Sequence, residues 1–326
     1  MPDDATPPPP DALPLDALRA LVAPVGGLES AERLDGGMFA TTYRVALADG
    51  RRVVVKTAPA DAPGLLTHER DLIRTEAAVY ALAGDRPDLL MPALLHTDFS
   101  RSVVAGDVVV AAHLDGVPWA KACFGSPAED ARAARAQADL GVLLGRIGTV
   151  TGDAFGYPQQ PALQAPTWRA AFTAIVEALL ADAGQGGVPG IPADRVRAAL
   201  ATHAAALDEV TTPRLVHTDL WPGNLFVDPA TGALTGVIDP ERALWGDPVL
   251  DLVGADPMWD GIPASVAGDV DVTSPGAAAR LLLARMWLAL VMTIEAPLRG
   301  YAGEWVAGYD AANRRSLARA LDGLGV

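Results

Sequence analysis

The chain has 326 residues, 50% of them apolar and 20% charged, a composition that fits an ordered globular protein and excludes a disordered or fibrous one. At roughly 150 residues per domain, this length predicts about two domains or lobes. The 40 acidic residues against 25 basic ones give a net charge of -15, which repels phosphate backbones and anionic lipid, so neither nucleic acid nor a membrane is an expected partner.

Residues 1–14 open with an acidic, proline-rich stretch that holds four consecutive prolines at 7–10 and favours an extended tail. It has neither the basic start nor the apolar run of a secretory signal, so a cytoplasmic protein is expected. A helix is predicted over 15–23, then strands within 28–45 and over 52–57 around the turn Ala48-Asp49-Gly50. Leu72, Ile73, Val79, Tyr80 and Leu82 recur at helical spacing and predict a helix over 66–83, stopped by Gly84. An apolar segment at 91–95 follows, with strands predicted at 102–105 and 108–112 joined by Gly106-Asp107.

Beyond Leu114-Asp115-Gly116 the pattern becomes alanine- and leucine-rich, and helices are predicted at 128–148, 168–183, 193–207 and 277–298. The last contains the longest apolar stretch, but Arg285 and Glu295 interrupt it, so it reads as a buried helix rather than a membrane span. Between these helices, 225–227 and 236–238 flank a turn and predict a β-hairpin. The one cysteine, Cys123, excludes an internal disulfide framework, and the five histidines lack the spacing of a zinc site.

Chemistry concentrates around that hairpin. Asp219 ends a short apolar run, Asn224 enters the hairpin and Asp239 leaves it, so the hairpin can bring the last two together with Asp219 in the loop before them. Phosphoryl transfer needs such an oxygen-rich corner: an Asp to take the proton of an attacking hydroxyl, here Asp219, and hard oxygen ligands for magnesium, here Asn224 and Asp239. Each residue alone reads first as a turn-capping Asx; three at this spacing around a hairpin favour a site.

Upstream, Gly36 and Gly37 lie between two strand segments, where they form either a plain turn or a loop that admits phosphates to the backbone. Lys56 follows three valines and is either an ordinary strand-end lysine or one reaching into a cleft. Glu76 on the next helix can pair with it, with Glu69 as the competing partner.

Glycine turn, strand lysine, helix glutamate, linker, His-x-Asp-x4-Asn and hairpin Asp follow the order of parts in the protein-kinase-like fold. Val216-His217-Thr218-Asp219-Leu220-Trp221-Pro222-Gly223-Asn224 and Val237-Ile238-Asp239-Pro240-Glu241 resemble the motifs of the aminoglycoside phosphotransferase family. Gly246-Asp247-Pro248 with Asp251-Leu252 is similar to its downstream signature, while Leu220-Trp221 and Asp239-Pro240 resemble the related fructosamine kinases. Thr218 stands where the family usually has glycine, and Pro240 where many members have an aromatic residue.

The resemblance implies an α+β, two-lobed fold: a small N-terminal sheet lobe over 15–114 that binds nucleotide, and a larger, mainly helical lobe over 115–326. It further implies ATP in the cleft, Ala112 and Leu114 in a linker that contacts adenine through its backbone, Asp219 as catalytic base and magnesium on Asn224 and Asp239. The expected activity is ATP- and magnesium-dependent phosphorylation of a hydroxyl on an aminoglycoside-like, amino-sugar or other small-molecule acceptor. A fructosamine kinase and a catalytically silent nucleotide-binding module are the alternatives. The four polar groups Lys56, Asp219, Asn224 and Asp239 argue against the silent module.

Overall fold

Alternation of apolar residues along the early strands lets one sheet serve two helices. The computed structural model describes residues 12–34, 40–59 and 64–326; Gly36 and Gly37 lie outside the described residues, as does the run at 7–10. Helix α1 (Leu15–Val22) turns Leu18, Leu21 and Val22 inward, an i, i+3, i+4 stripe. Strands β1 (Leu28–Leu34), β2 (Thr41–Leu47) and β3 (Arg52–Pro59) follow, then α2 (Leu72–Ala83), β4 (Leu94–Asp98) and β5 (Gly106–Ala112). They form an antiparallel sheet of order β1-β2-β3-β5-β4. Val53, Val55, Val108 and Val110 pack with α1 on one face, while Ala58, Val109 and Ala111 pack with Ile73, Ala77 and Tyr80 of α2 on the other. Because side chains alternate along a strand, Lys56 shares the α2 side with Ala58.

Two expectations in this region change. No strand forms at 102–105; the strand lies earlier, at β4. Asp98 accepts hydrogen bonds from the Ser100 amide at 2.9 Å and hydroxyl at 2.6 Å, and Arg101 adopts φ 58°, so a side-chain-bonded turn occupies the stretch before β5. The helix expected over 66–83 begins only at Leu72. Residues 67–69 form a separate 3₁₀ turn in which Glu69 accepts from the Leu66 amide at 2.9 Å, and Asp71 at φ 59° separates the two.

The C-terminal part starts with the short strand β6 (Val117–Pro118) and α3 (Ala131–Ile147), capped by the Asp130 side chain. The two-residue strands β7 (Phe155–Gly156) and β8 (Gln164–Ala165) precede α4 (Trp168–Gln185). The helix expected over 193–207 is broken at His203 into α5 (Ala193–Thr202) and α6 (Ala204–Asp208). Strand β9 (Arg214–Val216) leads into the hairpin β10 (Leu225–Val227) and β11 (Leu234–Val237), and β12 (Leu244–Gly246) returns beside β9. Helices α7 (Val249–Ala255), α8 (Ala264–Ala267), α9 (Pro275–Leu298) and α10 (Trp305–Gly323) complete the chain.

Helix α9 is the centre of the largest core, packed with α4, α5 and α10. It is long and apolar enough to cross a membrane, yet 67% of its most apolar window is buried inside the protein. Arg285 on it pairs with Asp256, so even its charge is accounted for internally. A small antiparallel sheet over a larger helical lobe is thus the architecture, with β10 and β11 at the boundary between them.

Candidate active site

The loop after β9 is held from three sides. Asp251 accepts from the amides of His217 and Thr218, both at 2.7 Å. Thr218 also donates its hydroxyl to the Arg242 carbonyl at 3.2 Å. These bonds keep Thr218 at φ 70°, a conformation that costs a residue other than glycine roughly 1–3 kcal/mol. The usual glycine at this position has the same explanation: it reaches φ > 0 without strain. Packing against the loop is equally tight, since a Cβ on Gly254 would lie 2.3 Å from the Thr218 carbonyl oxygen.

His217 joins this loop to the hairpin. Its Nε2 donates to the Ile238 carbonyl at 3.0 Å, and its Nδ1 accepts from the Asp219 amide at 3.3 Å, which sets a single neutral tautomer. Burial pushes its pKa down to about 4, so it acts as a neutral strut. Asn224 donates its side-chain amide to both the carbonyl and the carboxylate of Asp219, each at 2.9 Å. Burial pushes Asp219 up to about 7, the Asp239 charge adds to the rise and Arg242 opposes it. A carboxyl that titrates near neutrality suits a general base.

At the far end of the hairpin, the Asn224 carbonyl accepts from the Ile238 amide at 3.0 Å, so the two ends lie side by side as their spacing predicts. Asp239, at φ 69°, donates its amide to the Tyr80 hydroxyl at 3.3 Å and ion-pairs with Lys56. Lys56 is buried and also meets Glu76 at 2.8 Å and Glu241 at 2.7 Å. Glu69 is drawn elsewhere, to Arg242 at 3.1 Å and Arg299 at 2.8 Å, which settles which glutamate partners the lysine.

One ammonium faces three carboxyl groups, so the cluster holds more acidic oxygens than its single cation matches. Burial, with Asp239 and Glu241 beside it, pushes Glu76 up to about 7 despite its contact with Lys56. Burial also opposes ionisation of Asp239, but Lys56 outweighs it and holds that carboxyl below its ordinary value. Ligand atoms of Glu76, Asp239 and Glu241 lie within 4.8 Å of one another. Because the Asn224 NH₂ is committed to Asp219, its amide oxygen is the atom left for a cation. Hard oxygen donors that outnumber their cation fit a small dication such as magnesium.

Between the sheet and the hairpin lies a cavity of about 160 Å³. Val54, Ala111, Leu114, Phe226 and Ile238 give it apolar walls, while Lys56, Glu76 and Asp239 close one end. An apolar slot ending in a lysine and a carboxylate site has the shape of a nucleotide pocket, base in the slot and phosphates at the charged end. Ala112 also lines it, but its amide donates to Ala93 and that of His113 to Arg52. Among the described residues, Leu114 therefore supplies the linker amide without a backbone acceptor.

The sequence matches the phosphotransferase enzyme family over residues 30–270, most of its length. The chain belongs to this family. No curated protein matches it in sequence. Among solved structures, this phosphotransferase is similar to a candidate fructosamine-3-kinase from Thermobifida fusca YX-ER1, with TM-score 0.65 and 20% identity over 95% of this chain and 99% of that one. It is also similar to a candidate aminoglycoside phosphotransferase from Ralstonia eutropha JMP134, with TM-score 0.64 and 15% identity over 96% and 99% of the two chains. A third is a thermostable mutant of the aminoglycoside phosphotransferase APH(4)-Ia, solved with ADP and hygromycin B, at TM-score 0.63 and 18% identity over 93% and 97%. At these identities the likeness shows the fold.

Three groups at the site of this phosphotransferase were not singled out by their sequence. Glu241, two residues beyond Asp239, closes the lysine cluster; Tyr80, one helical turn beyond Glu76, shares its face and meets Asp239. Arg242 joins Glu69, Glu295 and Arg299 in a closed ring of ion pairs, with Arg242–Glu295 at 2.9 Å and Arg299–Glu295 at 3.0 Å. Tyr80 and Glu241 had a signal in their spacing from Glu76 and Asp239. In the ring only Glu295 and Arg299, four residues apart at the end of α9, had such a signal; Glu69 and Arg242 come from two other segments.

Proposed function

We propose that this phosphotransferase transfers the γ-phosphoryl group of ATP, with magnesium, to a hydroxyl of a small molecule. The observation that carries this reading is geometric: Asn224 donates to the Asp219 carboxylate at one end of a hairpin whose other end holds Asp239 on Lys56. Asn224 occupies the Asp219 Oδ2, leaving Oδ1 to accept the acceptor hydroxyl's proton. As that proton moves to Asp219, the hydroxyl oxygen bonds to the γ-phosphorus, the bond to the β–γ bridging oxygen breaks and ADP departs. Lys56, held by Glu76, pairs with the phosphates; Ala112 and Leu114 flank the adenine. Magnesium on Asp239 and Asn224 supplies charge neutralisation at the phosphate oxygens.

A hydroxyl of an aminoglycoside-like, amino-sugar or other small alcohol fits this chemistry, and the similar structures named for aminoglycoside and fructosamine kinases support the class. A silent module fits less well, because Lys56 is paired with Glu76 and Asp239 while Asn224 is bonded to Asp219, two groups that a module without chemistry does not need. The test is magnesium-dependent ATP consumption against aminoglycosides, ketosamines, amino sugars and neutral alcohols, with Asp219→Ala as control. Acceptor-stimulated turnover that vanishes in the variant is expected. Turnover that survives Asp219→Ala removes the base, and nucleotide binding without turnover on any acceptor returns the silent module.

A further inference from the structure

The sheet lobe is attached to the helical lobe at both ends of one strand pair. Strands β3 and β5 run antiparallel, with Val53 opposite Ala112 and Pro59 opposite Gly106. The linker at 112–114 therefore leaves the pair at one end, and the chain toward α2 leaves it about 20 Å away at the other. Lys56, opposite Val109, sits midway. A lobe held by the linker alone can pivot on it; one held at both ends cannot.

The second attachment is the segment 64–71, between β3 and α2, which lies against the helical lobe. A Cβ on Gly64 would come 1.9 Å from the Leu298 carbonyl oxygen at the end of α9. Leu66 is buried in the core around α9. Thr67 donates its amide to one oxygen of the Asp182 carboxylate on α4 at 2.8 Å and its hydroxyl to the other at 2.7 Å. His68 stacks on Tyr157, Glu69 pairs with Arg242 and Arg299, and Gln160 donates its side-chain amide to the Arg70 carbonyl at 2.9 Å. Arg74, in the first turn of α2, pairs with Asp107 of β5 at 2.7 Å, which ties the segment back to its own sheet. Sheet and α2 thus form one piece, and 64–71 fixes that piece to the helical lobe.

One of these contacts can be cut without emptying the core. Leu66, His68 and Glu69 are buried, so truncating any of them costs the fold itself. Thr67 and Asp182 are only partly buried, are joined by two hydrogen bonds, and line no part of the nucleotide cavity.

Resting on the kinase reading above, we propose that Asp182 is a positioning residue for phosphoryl transfer: through Thr67 it holds the sheet lobe closed, so that Lys56 already faces Asp239 when magnesium and nucleotide arrive. Without this clasp the lobe pivots on the linker and the closed form becomes a minor population. Apparent nucleotide affinity then falls by the fraction that remains closed. The bound complex is the same in either case, so the affinity changes while the number of sites does not.

Calorimetric titration of the full chain with magnesium and the non-hydrolysable analogue AMP-PNP reads both quantities. Asp182→Leu removes both hydrogen bonds and is expected to raise the dissociation constant about tenfold at unchanged stoichiometry. Asp182→Asn keeps both, its amide oxygen accepting from the Thr67 amide and its NH₂ donating to the Thr67 hydroxyl, and should bind within about twofold of the wild type. Thr67→Val cuts the hydroxyl bond alone and should give a rise of about threefold that Thr67→Ser reverses; this pair carries the test if Asp182→Leu does not fold. A loss of sites at unchanged affinity means a merely structural role and overturns the inference, as does Asp182→Asn binding as weakly as Asp182→Leu. Tight binding in the wild type that ignores Asp182 and Thr67 overturns this inference alone. Failure of the wild type to bind AMP-PNP overturns the kinase reading and the inference with it.

Discussion

Asn224 donates its side-chain amide to the Asp219 carboxylate at 2.9 Å, so the residue proposed to face the cation also orients the proposed base. The bond favours the ionised form of Asp219, against burial and the nearby Asp239 charge, which raise its pKa to about 7. A base works deprotonated, so kcat should climb as pH rises through about 7 and fall below it. Asn224→Ala removes the hydrogen bond, so this acid limb should move to higher pH and kcat should drop by roughly 10² or more. A pH–rate profile for both proteins checks it; an unmoved limb in the variant would separate Asn224 from the base.

Lys56 is the one cation among Glu76, Asp239 and Glu241. Lys56→Met leaves buried Glu76 and the partly exposed Asp239 and Glu241 together without their cation, and removing one partner from a buried ion pair costs up to about 3–5 kcal/mol. A dication offsets the same charges, so magnesium should raise the Tm of the variant more than that of the wild type. The variant's KM for ATP should also rise, since the phosphates lose their cation. Thermal unfolding across a magnesium series reads the first effect, and equal Tm gains in both proteins would place the metal away from this cluster.

The parts of the site that sequence made legible are those within one continuous segment. His217, Asp219, Asn224 and Asp239 lie within a single loop and hairpin, and turn chemistry fixes their approach. Lys56 and Glu76 were placed by the order of elements, but the choice between Glu76 and Glu69 was not legible. It is decided by Arg242 and Arg299, which lie 173 and 230 positions from Glu69. The same long-range pull explains the late start of α2, since a helical segment at 67–71 would have had to give up the buried position of Glu69. The missed strand β4 has the opposite cause: Val103-Val104 has strand propensity, but the Asp98 side chain turns the chain by bonding the amide and hydroxyl of Ser100.

His68 offers a clean acid-stability measurement. It is buried, stacks on Tyr157 at 5.1 Å between centroids, and has its pKa pushed down to about 3 by burial and by Arg242 and Arg299. A histidine whose folded pKa lies below its unfolded value of about 6.5 contributes full stability above pH 6.5 and loses it as pH falls. Other groups titrate in the same range, including Asp251, which burial raises to about 7, so the comparison must be with a variant. His68→Leu should gain on the wild type by roughly 1.4 kcal/mol per pH unit between pH 6 and pH 4. Denaturant unfolding at several pH values measures the difference, and a gap that does not change with pH would mean His68 is protonated in the fold.

The ring of Glu69, Arg242, Glu295 and Arg299 allows stability and catalysis to be separated. Arg242 lies three residues beyond Asp239, accepts the Thr218 hydroxyl on its carbonyl, and places its charge beside Asp219. Arg242→Met leaves two buried glutamates sharing Arg299, and stability should fall by about 3–5 kcal/mol. Arg242→Met with Glu295→Gln keeps one carboxylate against one guanidinium, so most of that loss should return. Activity should not return, because a side chain gripping Glu69 and Glu295 no longer anchors the loop that carries Asp239, and Asp219 has lost its nearest opposing charge. The expected pattern is a double variant with nearly normal Tm, kcat reduced by roughly 10² and an acid limb shifted to higher pH. Recovery of kcat together with Tm would mean the ring holds the lobes together and leaves the positions of Asp219 and Asp239 to the bonds from Asp251, His217 and Asn224.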